Sequence, residues 1–380
     1  MTEHKLVPKI RFQGFSEEWK EKKLRDIVNI KAGGDVSKNK IKSVGKYPVI
    51  GNAINNDGTI GFLDTYQVNA PAVTITARGY IGHSQYRDKP FTPVVRLLAL
   101  SKKNNNVNMR FIAYSIKKIK FFVESTGVPQ LTSPQLGSYI INLTNINEQQ
   151  KIGDLFSKLD KLIELQQQKV DKLELLKKVF LQKMFANEKQ KVPEIRFIGF
   201  EEKWTEKRLG DIANFINGRA YKQSELLNHG KYPVLRVGNF YSNTNWYYSD
   251  LELPDKNYAN DGDLLYTWSA TFGPHIWEGK KVIFHYHIWK IELTKFLIRD
   301  FTLQILKADQ LQLLNTTNGS TMVHITKSNM ENKKLFITSL NEQQKIGALF
   351  EKLDQIILAN NHKLANLKLL KKSLLQNMFI

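Results

Sequence analysis

Two small residue sets are the places where this chain could do chemistry of its own. Pro254-Asp255 followed by Glu278-Gly279-Lys280 fits the loose nuclease pattern PD…ExK. In that pattern carboxylates and a lysine hold Mg2+ and polarise water beside a phosphate. The pattern arises often by chance, and Glu278-Gly279-Lys280 also reads as a plain turn between strands. His285 and His287 fall on one face of an expected strand, with His275 and His324 as further metal-ligand candidates. No suitably spaced carboxylate or thiolate accompanies them, so aromatic strand packing accounts for them better. The chain has no cysteine, which removes disulfide frameworks and thiolate metal sites. There is no GxxxxGK(S/T) phosphate loop, no G-x-S-x-G elbow and no GxGxxG opening a βαβ unit. The Asn-Pro-Pro-aromatic motif of adenine methyltransferases is missing too. Neither catalytic nor metal-binding residues are assigned on this reading; catalysis falls to partners.

The charge points outward instead. Lysine and arginine number 56 against 36 aspartates and glutamates, a formal net charge of +20. That excess suggests a polyanion partner, most simply DNA or RNA. At 380 residues the chain has room for two or three domains, each with its own core. No apolar run approaches the ~18–20 residues of a membrane span, and the opening MTEHKLVPKIRF lacks a signal-peptide core. The expectation is a soluble cytoplasmic protein with no membrane partner.

The elements that must position any such surface are duplicated. Residues 147–185 (NEQQKIGDLFSKLDKLIELQQQKVDKLELLKKVFLQKMF) return at 341–379, with about 23 of 39 positions identical. Both copies carry apolar residues at alternating steps of three and four: Ile152, Leu155, Leu159, Leu162, Leu173, Leu176, Phe180, and Ile346, Leu349, Leu353, Ile356, Leu367, Leu370, Leu374. Such a period specifies a helix with a narrow coiled-coil seam, and ~35 residues make a rod of about 50 Å. The natural partner of each seam is the other copy. Gln166 and Lys169 interrupt one seam, Asn360 and Lys363 the other; buried polar residues of this kind fix register. In an antiparallel pair Gln166 would meet Lys363 and Lys169 would meet Asn360. Leu159–Leu370, Leu173–Ile356 and Phe180–Leu349 would then face each other, paired numbers summing to about 529. A parallel pair also aligns the polar layers, so the pattern alone leaves direction open.

The duplication extends beyond the helices. Residues 7–34 (VPKIRFQGFSEEWKEKKLRDIVNIKAGG) recur at 192–219, and GKYPVI at 45–50 recurs as GKYPVL at 230–235. The middles, about 50–145 and 236–340, have diverged. They read as α+β: strands in AVTITARGYIG (72–82), PVVRLLAL (93–100), GSYIINL (137–143), DLLYTWSA (263–270), KVIFHYHIWKIEL (281–293) and KLFIT (334–338), with helices over 108–122 and 297–314. The expected segments are 1–146 and 188–340 for the globular halves, and 147–187 and 341–380 for the helices.

This arrangement resembles the specificity subunit of type I restriction–modification systems. The matching residues are VPxIRFxGFxxxWxxxxLxDI opening each half and INEQQKI or LNEQQKI beginning each helix. In the variable halves they are ITARGYIG (75–82), STGVPQLTSPQLGSYIINL (125–143) and GSTMVHITKSNMEN (319–332). The chain departs from the family in Val323 before His324, and in Thr144-Asn145-Ile146 and Thr338-Ser339-Leu340 in place of Pro-rich helix starts. The resemblance implies a non-catalytic protein that reads a split, asymmetric DNA sequence, with one target recognition domain per part and the helices as a ruler. It implies two methylation subunits binding S-adenosylmethionine and restriction/motor subunits using ATP and Mg. The competing readings are an autonomous Mg-dependent nuclease through Asp255, Glu278 and Lys280, and a coiled-coil scaffold whose basic charge is incidental.

Side-chain chemistry then nominates the DNA contacts. Arginine bridges guanine bidentately, asparagine or glutamine bridges adenine, and serine and threonine serve either. In the first half the candidates are Arg78, Tyr80, His83, Thr126, Gln130, Thr132, Ser133 and Gln135, with Lys38 and Lys40 on phosphates. In the second they are Arg219, Tyr221, Lys222, Asn239, Tyr241, Asn243, Trp268, Ser269, Thr271, Asn318, Ser320, Thr321, His324 and Lys327.

Overall fold

The computed structural model describes residues 5–122, 129–188, 190–241, 243–269, 271–316 and 325–380. They form two compact units, one of residues 1–168 with 362–380, the other of residues 169–361. The unit boundaries therefore cut both long helices rather than following four consecutive segments.

In unit 1 the order is β1 (Lys20–Lys23), α1 (Leu24–Ile27), β2 (Val28–Ala32), β3 (Tyr47–Ile50), β4 (Thr59–Leu63), β5 (Ala72–Thr76), β6 (Ser84–Arg87), β7 (Thr92–Pro93), β8 (Leu97–Lys102), α2 (Met109–Ile116), α3 (Ser133–Ser138) and β9 (Ile140–Leu143). The helix α4 (Ile146–Lys183) starts in this unit and runs into the next. Strands pair as an antiparallel sheet β2-β8-β5-β6, a smaller sheet β4-β3-β7 in which β3 and β7 are parallel, and the pair β1–β9. The five residues of β5, AVTIT, are all buried, as expected of a strand covered on both faces.

Unit 2 continues with β10 (Thr205–Arg208), α5 (Leu209–Ile212), β11 (Ala213–Asn217), β12 (Tyr232–Leu235), β13 (Tyr247–Ser249), β14 (Tyr258–Ala259), β15 (Leu264–Thr267), β16 (Gly273–Ile276), β17 (Val282–Phe284), β18 (Ile288–Leu293), α6 (Arg299–Thr316), α7 (Lys327–Glu331), β19 (Lys334–Ile337) and the first part of α8 (Leu340–Met378), whose residues from 362 on belong to unit 1. Its sheets are β11-β18-β15-β16, β13-β12-β17-β14 and β10-β19. The diverged middles thus share the strand order of the larger sheet and a parallel pairing in the smaller one (β12 with β17), to which β14 adds a fourth strand in unit 2. The α+β class is what the sequence led us to expect.

Two expected strands are broken. KVIFHYHIWKIEL divides into β17 and β18, which lie in different sheets, with His285-Tyr286-His287 as the crossing. PVVRLLAL divides likewise into β7 and β8 across a bend where Arg96 takes φ 70°. Both stretches stay apolar on either side of the break because β7 and β17 are buried throughout and β8 and β18 over at least half of their length, so the run of apolar residues does not register the change of sheet.

Each long helix is anchored to its own globular part by the same contacts. Arg11 forks onto Glu148 at 2.7 and 2.8 Å, and Arg196 onto Glu342 at 2.7 and 2.9 Å. Thr144 and Thr338 donate to the same two carboxylates. Gln149 reaches Asn106 and Thr144 carbonyls and the Asn108 N–H; Gln343 does the same with Phe296, Thr338 and Ile298. Asn145 and Ser339 accept from the N–H groups of Glu148 and Glu342, capping the helix starts that lack the family's prolines. Gly153 and Gly347 ease the close approach of α2 and α6: a Cβ at either would sit 3.0 Å from the Cβ of Arg110 or Asp300, so that neighbour would have to shift slightly.

Antiparallel packing is seen inside each unit. In unit 1 Phe379 packs on Phe156 at 5.6 Å and Lys371 pairs with Asp160. In unit 2 Phe180 packs on Phe350 at 6.5 Å and Lys177 pairs with Asp354. The two ion pairs each sum to 531, close to the expected 529.

The seam keeps Ile152, Leu159, Leu173, Phe180, Ile346 and Leu353 as expected and moves one position along at Leu162, Leu176, Ile356 and Leu370. The inward positions of α4 are Ile152, Phe156, Leu159, Ile163, Gln166, Val170, Leu173, Lys177 and Phe180, and those of α8 include Ile346, Phe350, Leu353, Ile357, Asn360, Leu364 and Lys371. Leu162, Leu176, Ile356 and Leu370 are instead 51, 41, 39 and 47% exposed. Lys169 and Lys363 also face outward, so the expected Gln166–Lys363 and Lys169–Asn360 layers do not form a buried seam. Both Leu155/Phe156 and Leu162/Ile163 offer an apolar residue at neighbouring positions, and the aromatic cores around Phe156 and Phe350 select the second register.

Candidate nucleic-acid interface

In unit 1 the ARGYIG segment is a tight turn joining β5 to β6, made possible by Gly79 at φ 71° and Gly82 at φ 89°. The Thr76 hydroxyl donates to the Tyr80 carbonyl and accepts from the His83 N–H at 3.0 Å. Arg78 is half-buried and bridges Gln130 through the backbone; Tyr80 is 68% exposed. Burial, reinforced by Lys117 and Arg87, holds the His83 imidazole below its ordinary pKa. Lys38 and Lys40 are exposed on a short 3-10 turn. Thr132 and Gln135 have a structural task, for which their T-x-x-Q spacing was the available signal: they form a reciprocal capping box at the start of α3. Ser133 is the first residue of that helix, and Thr126 lies outside the described residues.

In unit 2 several candidates are also committed inside the protein. The Arg219 guanidinium forks onto Glu225 at 2.8 and 3.0 Å and lies 5.2 Å from the Tyr221 ring. Tyr221 stacks near His285 at 6.4 Å, and Lys222 is exposed beside it. Asn239 accepts from the Arg236 N–H and donates to the Asn243 and Asn245 carbonyls, so its amide shapes the loop. The Tyr241 hydroxyl meets His275 Nε2 at 3.2 Å, and Asn243 accepts from the Asn245 N–H. Trp268 donates to the Tyr286 carbonyl and packs edge-on to His287 at 4.9 Å, with Ser269 and Thr271 in the adjoining loop. Lys327 opens α7 and pairs with Glu331. Asn318, Ser320, Thr321 and His324 lie outside the described residues.

The residues of the nuclease pattern flank a short strand pairing. Tyr258 pairs with Ile283 and Ala259 with Val282, antiparallel. Asp255 therefore sits past one end of that pairing and Glu278–Lys280 past the other, with Glu278–Lys280 running into a turn at Gly279 (φ 142°). Among the described residues no group of three or more His, Asp or Glu is placed to hold a metal ion. His275 stacks on Phe240 at 4.1 Å and burial lowers its pKa to about 4; His285 is lowered to about 4 by burial and then by His287 and Arg236. Both rings are neutral at pH 7. Among the described residues no helix is long and apolar enough to cross a membrane.

Sequence reasoning missed Asn52. Its carboxamide donates to the Arg78 carbonyl at 2.7 Å and accepts from the Ala77 N–H at 2.8 Å, tying the loop after β3 to the ARGYIG turn. It also missed the Arg–Glu clamps, although IRF and NEQQ recurring in both halves was the available signal.

Two stretches, residues 16–175 and 201–369, match the family model described as type I restriction modification DNA specificity domain. The chain belongs to that family and carries the domain twice. A putative type I specificity subunit of Mycoplasma pneumoniae is 34% identical over 142 residues, covering 36% of this chain and 39% of the relative. A second from the same organism is 30% identical, covering 40% of this chain and 46% of the relative, so the chain spans less than half the length of the first curated relatives it matches. A Mycoplasma genitalium relative described in the same way matches end to end, at 21% identity over 98% of this chain and 97% of its own. In fold the chain is similar to the crystal structure of a type I restriction-modification S subunit from M. genitalium, with TM-score 0.67, 18% identity, and 98% and 99% of the two chains covered. A structure concerned with complex assembly and conformational transition of the type I R-M system gives TM-score 0.57 at 16% identity, covering 95% and 97%.

Proposed function

We propose that this chain is the DNA-reading, non-catalytic subunit of a type I restriction–modification complex. Each unit reads one part of a two-part asymmetric target, and the long helices set the distance between the parts. Half-sites about one helical turn apart, roughly 34 Å, leave the intervening base pairs unread. Two methylation subunits bearing S-adenosylmethionine dock on the helices and repeated frame, and restriction/motor subunits using ATP and Mg join them in the cytoplasm. The carrying observation is that the order of the larger four-stranded sheet and one Arg–Glu anchor occur twice, whereas the polar loops mounted on them differ. A scaffold without reading heads has no need for unlike loops on like frames. The excess of basic residues supports the same reading through phosphate contacts, whose affinity falls steeply with salt.

The test is to express the full chain with its methylation subunit and sequence the methylated adenines. A split motif is expected. Exchanging residues 50–145 for the matching stretch of another family member should change one part of the motif and leave complex assembly intact. A swap that alters both parts, or neither, rejects one domain per half-site. Cleavage of DNA by the purified chain with Mg2+ alone would reject the non-catalytic assignment.

A further inference from the structure

Hydrogen-bonding groups around the loop of residues 51–58 and the turn of residues 77–82 fall into two kinds. One kind is committed. Asn52 spans the loop and the turn as described, and Thr76 closes the turn on Tyr80 and His83. The 51–58 loop is itself held: Gln85 donates to the Asp57 carboxylate and Arg87 to the Asp57 carbonyl, each at 2.8 Å. Asn56 and Asp57 take φ 50° and 52°, a left-handed backbone that residues other than glycine rarely adopt and that tends to mark functional loops.

The other kind is uncommitted. Among the described residues, the Arg78 guanidinium, the Asn55 carboxamide and the Tyr80 hydroxyl enter no side-chain hydrogen bond, yet all three line one cavity of about 320 Å³. Ala53 and Ile54 supply an apolar wall to the same cavity, Ile54 being 46% exposed. A rigid frame thus presents a fork of five donors, one amide and a hydrocarbon edge within a single patch. A guanidinium matches guanine O6 and N7, a carboxamide matches adenine N6 and N7, and a hydrocarbon edge matches the C5-methyl of the thymine paired to that adenine.

We infer that Asn55 is a specificity-determining residue beside Arg78, the two reading adjacent A·T and G·C pairs in the half-site of unit 1, with Ala53 and Ile54 against the thymine methyl and Asn52 as their positioning residue. This rests on the DNA-reading function proposed above. Asn52 touches no base; it fixes the separation of the two readers. Asn55 is exposed and makes no internal bond, so its replacement leaves the fold alone.

The full chain, co-expressed with its methylation subunit, provides the experiment. If the wild type gives no two-part motif, the proposed function fails and this inference goes with it. Given a two-part motif, Asn55→Ala should relax it at one A·T pair and Arg78→Ala at the neighbouring G·C pair, each losing roughly tenfold to a hundredfold discrimination. The other part of the motif should not change. Asn52→Ala should weaken discrimination at both pairs together while the thermal midpoint of the complex stays within a few degrees. Deoxyuridine in place of the thymine should weaken binding several-fold in the wild type and not in Ile54→Ala. An unaltered motif in Asn55→Ala overturns the inference. So does a uniform loss of binding to all duplexes in Arg78→Ala, which would make that residue a phosphate contact.

Discussion

Glu148 and Glu342 have no exposed side-chain surface, and each is met by an arginine fork that is only 10% exposed. Removing one member of such a pair leaves a buried charge without compensation, which costs about 3–5 kcal/mol. Glu148→Ala should therefore lower the urea midpoint of the unit holding Arg11, and Glu342→Ala that of the unit holding Arg196; a loss below ~1 kcal/mol in either would show that water replaces the clamp. The histidines give a pH signature. His275 and His285 titrate near 4 in the folded chain against about 6.5 when unfolded. Between pH 6.5 and 4 the unfolded state binds more protons, so stability falls as pH drops through that window and is unaffected by these groups above it. His275→Phe, which keeps the stack on Phe240, should lose less thermal stability than the wild type between pH 7 and pH 5. Equal losses would assign the acid sensitivity to other groups.

At the scale of elements, the informative feature is the seam of the long helices. Phe156 is fully buried, whereas Leu162 is 51% exposed, although both sit in an apolar heptad pattern. Phe156→Ala should cost about 3–5 kcal/mol through the cavity it leaves, and Leu162→Ala within about 0.5 kcal/mol. Chemical denaturation of the two variants decides between the registers. Similar costs would restore the register read from periodicity. The seam lysines differ: Lys177 and Lys371 are each about one-fifth exposed and paired with Asp354 and Asp160. Such partly wet pairs contribute little stability and serve better to fix antiparallel register, as a polar residue in an apolar seam does.

For the whole molecule, the division of the helices between units matters most. The final residues 362–380 belong to the unit that contains the N-terminal half, and Phe379 packs on Trp19 at 6.3 Å and on Phe111 at 5.2 Å. Deleting residues 374–380 should thus raise hydrogen exchange in β2, β5 and β8 of unit 1, with unit 2 protected as before. Raised exchange confined to α8 would contradict that coupling. Phe185 has the corresponding place in unit 2, packed on Trp204 at 6.3 Å and Phe301 at 5.8 Å. Each helix therefore starts on one core and ends on the other.

The sequence alone determined what depends on local pattern and on repetition. Two long helices, an α+β class, two frames with unlike middles and the family itself were all legible, because a 3.5-residue period and a constant offset survive without knowledge of contacts. Only the tertiary structure decided which of two adjacent apolar positions faces inward, since Leu162 and Ile163 are equivalent to a periodicity and not to a core already occupied by Phe156. Packing alone also broke the strand at His285–His287, because a change of sheet leaves the apolar run intact. It took Thr132, Gln135, Arg219 and Asn239 into caps, clamps and loop bonds, since a side chain's composition states which hydrogen bonds it can make and only its neighbours state which it has already made.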